Sequence, residues 1–235
     1  MLSRFSGPAE VIRGRPTGVA VPVGVTIAVV LLLVIVLGIT NPVRAPLVTS
    51  DALGPDNGEV VSDYVARAAG TLEQPPGNEH WALVSFTRPV SSDTVREVAA
   101  MVRVSQLLFR LPLDRVQTPL VPVSVGSGAA AIERAHVLAS ARVQRMTGET
   151  VRQGNIAAVS SQEFARDCAC VIGIVVRGDL DRLGALRSTS AVRAVEALHA
   201  DAVFGRFAIR PLLPEQAQTV SPGPDDGAVV SGGGP

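Results

Sequence analysis

From Gly18 to Ile39 the chain reads GVAVPVGVTIAVVLLLVIVLGI, and no charged residue falls between Arg15 and Arg44. A helix needs about 20 apolar residues to cross the hydrocarbon core of a bilayer, and this run supplies them. Pro22 lies in its first turns, where a missing N–H costs least. Three arginines precede the run (Arg4, Arg13 and Arg15), whereas Arg44 behind it is soon followed by Asp51, Asp56 and Glu59. The positive-inside bias then predicts a cytoplasmic tail over 1–17, a transmembrane helix over 18–40 and an extracytoplasmic remainder. The competing reading is a cleaved signal peptide with Val43-Arg44-Ala45 as a loose cleavage site. Against it, the apolar stretch exceeds the roughly 7 to 15 residues of such a segment, and Pro46 would follow the cut. No second run approaches spanning length, so a single-pass protein of the cell membrane is expected.

Beyond the apolar run the pattern breaks into short periodic pieces. Residues 41–79 are rich in Pro, Gly and Asp and predict an extracytoplasmic linker. Within it Val61, Val65, Ala68 and Leu72 recur at helical spacing, which suggests a short helix. WALVSF at 81–86 alternates as a half-buried strand does. Val95, Val98, Ala99 and Val102 then form a helical stripe, with Thr94 and Glu97 spaced as a capping box, before VSQLLFRL returns to strand character. CVIGIVV at 170–176 predicts a second strand, DLDRLGALRS a short helix capped by Asp179, and VRAVEAL a further strand. VFGRFAIR at 203–210 alternates as an amphipathic final strand.

Two β-α-β units predict an α+β domain over 80–214, a ferredoxin-like split β-α-β sandwich. A helical insertion over 114–168 would hold a Pro-bearing strand, a helix through Ile132, Ala135, Ala139, Val143 and Met146, and a shorter helix from Ser160 to Arg166. Ser160 and Glu163 have capping-box spacing. The last stretch, 215–235, lacks periodicity and is rich in Gly and Pro, so it reads as a disordered tail. In CVIGIVV, Cys170, Ile172, Ile174 and Val176 alternate with Val171, Gly173 and Val175, and both sets are apolar. Such a strand is covered on both faces. The two helices of a split β-α-β cover one face, and the insertion is the expected cover of the other.

Composition narrows the partners. The chain carries 21 basic and 21 acidic residues, every basic one an arginine, so no global charge draws it to nucleic acid. Aromatics are 3% of the chain and the arginines are scattered, which argues against a base-stacking surface. The expected partners are the membrane, through one helix, and an unidentified envelope protein or a second copy of the chain.

Candidate chemistry is sparse, and no catalytic, cofactor-binding or metal residue is singled out. Cys168 and Cys170 lie one residue apart outside the membrane, where a disulfide is the normal state. Residues i and i+2 of a strand have Cα atoms about 6.6 Å apart, near the upper limit for a bridge. A bridge here needs a kink at Ala169, and the pair is either a strained redox centre or a structural start to the strand. Arg177-Gly178-Asp179 spells an adhesion triplet, but its position between a buried strand and a helix suits a turn and an N-cap better. Gly126-Ser127-Gly128-Ala129-Ala130-Ala131 imitates a dinucleotide fingerprint, although Pro119 and Pro122 in the preceding strand fit a sheet edge. His80, His136 and His199 have no partner at metal-ligand spacing.

DCACVIGIVVRGDL, followed by VRAVEAL and RPLLPEQ, resembles a group of single-pass exported membrane proteins of actinobacteria. The resemblance covers roughly residues 80–216 and implies topology, with no activity attached. The function expected from these observations is a membrane-anchored extracytoplasmic interaction or structural module of the cell envelope, non-enzymatic. The alternative is a thiol-redox or other envelope enzyme using Cys168 and Cys170.

Overall fold

The computed structural model describes residues 20–40, 51–75, 77–146 and 150–229, so expectations for the 1–17 tail and for 230–235 lie outside the described residues. The chain divides into two units, Met1–Leu47 and Val48–Pro235. The first holds helix α1, Ala20–Thr40. Side chains are described in it for 26–37, and these are exposed on every side. Among the described residues no helix is long and apolar enough to cross a membrane.

The second unit is built on an antiparallel five-stranded sheet: β2 (His80–Val90), β3 (Arg103–Phe109), β4 (Val121–Ser124), β5 (Val171–Gly178) and β6 (Val192–Ala197). Their order is β4-β3-β5-β2-β6. Helix α3 (Ser92–Ala99) joins β2 to β3 across β5, and α7 (Leu180–Leu186) joins β5 to β6 across β2. The two β-α-β units are therefore interleaved. Asp179 caps α7 as its position suggests, its carboxylate accepting from the Arg182 N–H at 2.9 Å. Between β3 and β5 come β4, at the sheet edge where its proline is tolerated, then α4 (Ala129–Glu133), α5 (Ala135–Gln144) and α6 (Val151–Ala165).

Two expected caps fall elsewhere. Helix α3 begins after Ser91, which places Thr94 and Glu97 inside it. Helix α6 starts nine residues before Ser160, behind a reciprocal Thr150–Gln153 capping box, and Ser160 is buried in its middle.

All the helices from α3 to α7 that supply core residues pack on one sheet face. There Val84, Phe86, Leu107, Ile174 and Val176 meet Val95 and Val98 of α3, Leu183 and Leu186 of α7, and Ala139, Val143 and Phe164 of the insertion. Phe109 and Phe164 meet edge to face at 5.6 Å. The insertion therefore does not cover the second face. That face, with Leu83, Leu108, Ile172 and Val175, is covered by Leu53 and Phe207. These belong to β1 (Asp51–Leu53) and β7 (Phe207–Ile209), a parallel pair outside the main sheet. The final strand is accordingly shorter than expected, and Val203 before it is exposed.

The alternation expected in β5 is also broken. Gly173 pairs with Leu108 and Val171 with Phe109, leaving Ile172 as the extra residue of a bulge. Ile172 thereby joins Val175 on the second face, while Val171 joins Ile174 on the first. Gly173 is needed there, because a Cβ would stand 2.9 Å from the Val84 carbonyl oxygen.

The segments read as linker and disordered tail are, where described, parts of the fold. Helix α2 (Val61–Gly70) buries Val61, Tyr64 and Ala68 against Ala194, Leu212 and Val220. Val61 donates its N–H to the Gln218 carbonyl at 2.8 Å, and Val220 donates to that of Glu59 at 2.9 Å. Further on, Arg115 and Arg152 hold Asp226 and Asp225 at 2.8 and 3.0 Å. Richness in Gly and Pro suggested a linker and a disordered tail; apolar packing by α2, backbone pairing and ion pairs hold them in the fold instead.

Leu53→Ala, which opens the second face, is expected to lower stability by about 2–5 kcal/mol. Val151→Ala, at a position 83% exposed, should change it by no more than about 0.5 kcal/mol. Urea unfolding followed by circular dichroism checks both.

Candidate functional site

At one end of the sheet, where β3 and β2 begin and β4 and β5 end, lies a cleft of about 570 Å³. Two motifs far apart in sequence meet in it: the Gly126-Ser127-Gly128 loop after β4 and Arg177-Gly178-Asp179 at the end of β5. Ala99, Met101 and Ile132 form an apolar wall, and four arginines (Arg96, Arg103, Arg177 and Arg182) bring positive charge.

The strand register sets the geometry of these charges. Arg103 of β3 and Arg177 of β5 are direct cross-strand partners, so their side chains leave the same face of the sheet side by side. Like charges in that relation are destabilising. Arg177 also pairs across β2 with Trp81, and its guanidinium lies 5.4 Å from the centre of the Trp81 ring. Its Nε is 3.1 Å from a Glu79 carboxylate oxygen, a charge contact that is not aligned as a hydrogen bond, and this buried donor has no acceptor. Arg182 is held by Asp179 at 3.1 Å, and Arg96 by Asp93 and Glu133. Arg103 is exposed and has no carboxylate partner among the described residues.

In the same cleft, the N–H groups of Gly126, Ser127 and Gly128 donate to no protein group among the described residues. Nothing lies within 4 Å of where a Cβ would stand on either glycine, and Gly128 has φ +98°, a conformation that favours glycine. This loop is not a dinucleotide cradle. It follows an antiparallel edge strand and leads into a helix of 5 residues, whereas that fingerprint needs a parallel strand and a long helix.

Cys168 and Cys170 are joined by a disulfide. Their Cα atoms are 5.3 Å apart, drawn in from the extended spacing by a bend at Ala169. Cys170 is buried in the core and Cys168 packs partly against it; neither lines the cleft.

The three histidines remain apart. His80 is buried with Nδ1 2.8 Å from the Leu198 carbonyl oxygen, and His199 is exposed. His136 meets two groups that spacing did not link to it. Ser92 donates to Asp167 at 2.8 Å, and His136 Nδ1 lies 3.7 Å from the same carboxylate oxygen. The carboxylate stands between hydroxyl and imidazole, so the imidazole does not take the serine's hydrogen bond as it does in a nucleophilic triad. Among the described residues no three His, Cys, Asp or Glu side chains gather as a metal site would.

A second polar cluster lies under α2. Glu196 of β6 is the one buried carboxylate among the described residues. It accepts from the Gly54 N–H, from Tyr64 at 3.2 Å and from Arg67 at 2.7 Å, and Arg67 also holds Glu59 at 3.0 Å. Burial pushes the Glu196 carboxyl above its ordinary range, against the lowering by Gly54, Arg67 and Tyr64. Burial also raises the Tyr64 phenol, whereas the hydrogen bond from Arg67 holds Glu59 low. Sequence spacing did not single out Glu196, although a lone acid in the apolar strand VRAVEAL marks it.

No family model matches the chain, nor does any curated protein or any solved structure.

The acid response should separate the two glutamates. Glu59, lowered in the fold, contributes stability above the ordinary carboxylate range that is lost as pH falls through its folded value. Glu196, raised in the fold, works in the opposite sense and offsets that loss. Urea midpoints compared between about pH 6 and pH 3 should therefore fall less in Glu59→Gln than in the unaltered chain, and more in Glu196→Gln.

Proposed function

We propose that the chain is a membrane-anchored interaction module of the cell envelope, holding its α+β unit outside the cytoplasm and offering the sheet-end cleft to a ligand or partner. The cleft carries this reading. Its groups are guanidinium donors, open backbone N–H groups and an apolar wall, which bind and orient. The placement rests on the charge-free run from Gly18 to Ile39 and on the arginines before it. The exposure of apolar side chains around the whole of 27–37 agrees, because a helix apolar all round belongs in lipid or a large core. The resemblance to exported actinobacterial proteins points the same way.

For the fold we propose a ferredoxin-like split β-α-β sandwich, supported by the interleaving of the β2-α3-β3 and β5-α7-β6 units, with β4 added at one edge. A thiol-redox enzyme on Cys168 and Cys170 has less support, since the pair stands outside the cleft and Cys170 is buried.

A reporter that is active only outside the cytoplasm should work when fused after Pro235 and fail when fused before Met1. The reverse pattern would overturn the orientation, and a mature N-terminus at Pro46 would replace the anchor with a signal peptide.

A further inference from the structure

We infer that the sheet-end cleft is a phosphate-binding site, with Arg103, Arg177 and the Gly126–Gly128 loop seating one phosphoryl group of an organic phosphate. The inference rests on the reading of the cleft as the module's ligand-binding face and names the class of ligand. It begins from an imbalance. Arg103 and Arg177 are forced side by side by the register of β3 and β5, and of the two only Arg177 has a carboxylate nearby. An anion held between them relieves the repulsion that the sheet itself imposes. Arg182 and Arg96 line the same cleft but are occupied by Asp179, Asp93 and Glu133, so the unbalanced charge is confined to the β3–β5 pair.

The second observation is the loop that lines the same cleft. Three consecutive N–H groups without a protein acceptor, on a backbone that two glycines leave bare, let an anion approach the main chain closely. The Ser127 hydroxyl adds a fourth donor on the same loop. Donors from β3, from β5 and from the β4–α4 loop thus line one cleft. A phosphoryl group presents three oxygens to three sides, whereas a carboxylate presents two in one plane. Ala99, Met101 and Ile132 then give the organic part an apolar wall.

The source of the phosphate is either a lipid headgroup or a soluble phosphoester, and chain length in the probe separates them. Trp81 is the one tryptophan of the chain, and the Arg177 guanidinium lies over its ring, so its emission reports what Arg177 binds. The full chain in detergent micelles is titrated at constant ionic strength with inorganic phosphate, glycerol 3-phosphate, dihexanoyl phosphatidic acid or chloride. Phosphate should change Trp81 emission saturably and raise the unfolding temperature, and chloride should do neither. Arg103→Gln, an exposed position whose replacement should leave the circular dichroism unchanged, should weaken phosphate by about tenfold or more. Arg166→Gln, outside the cleft and already paired with Glu163 at 2.9 Å, should bind within about threefold of the unaltered chain. If the phosphatidic acid binds at least about tenfold tighter than glycerol 3-phosphate, the site takes a lipid headgroup; equal affinities make it a site for soluble phosphoesters. Either result upholds the inference. A phosphate response no different from chloride, or an Arg103→Gln protein that binds like the unaltered chain, would overturn it. Such a failure with the reporter still active after Pro235 would remove the phosphate site and leave the anchored module standing.

Discussion

The β2–β5 pair at the middle of the sheet is apolar on both faces, and the remaining elements are arranged around that fact. On the first face it presents Val84, Phe86, Ile174 and Val176, and on the second Leu83, Ile172 and Val175. Leaving either face in water would expose a patch of the kind that drives association. The helices of the two β-α-β units and of the insertion all gather on the first face. The second is therefore closed by what remains of the chain, the short β1–β7 pair and the segment that follows it. The parts with least visible structure in the sequence thus complete the core.

That closure is fastened by the Glu196 cluster and by a backbone seam. Gly54 must be glycine, because its φ is +112° and a Cβ would overlap the Arg210 carbonyl oxygen. Its N–H donates to Glu196 while Arg210 donates its own N–H to the Leu53 carbonyl at 2.8 Å. Arg67 connects the same carboxylate to Glu59. One buried acid thus joins β6, α2 and the turn after β1.

Much of this was legible in the residues. Alternation marked β2, strand-like apolar runs marked β3, β5 and β6, the stripe through Val95 and Val98 marked α3, and Asp179 announced α7 by its capping position. Pro122 placed β4 at an edge. What the residues concealed has physical causes. A bulge at Ile172 shifts the faces of β5 without altering its composition. A strand as short as Asp51–Leu53 has no period to detect, and a tail held by ion pairs at Asp225 and Asp226 carries no hydrophobic signal. The candidate site was legible only in pieces. Arg177-Gly178-Asp179 and Gly126-Ser127-Gly128 drew notice separately, but the neighbour that gives them meaning, Arg103, is defined by register and not by spacing.

The account stands on the β1–β7 pair and the backbone pairing of Glu59 and Val61 with Val220 and Gln218 being part of the cooperative core and not appendages. Native-state hydrogen exchange on the amides of Arg210, Val61 and Val220, set against those of Val84 and Ile174, tests that directly. The prediction is that all five exchange with the free energy of global unfolding and share its denaturant dependence. Exchange of Arg210, Val61 and Val220 through local opening, faster by about a hundredfold or more while Val84 and Ile174 stay protected, would contradict it.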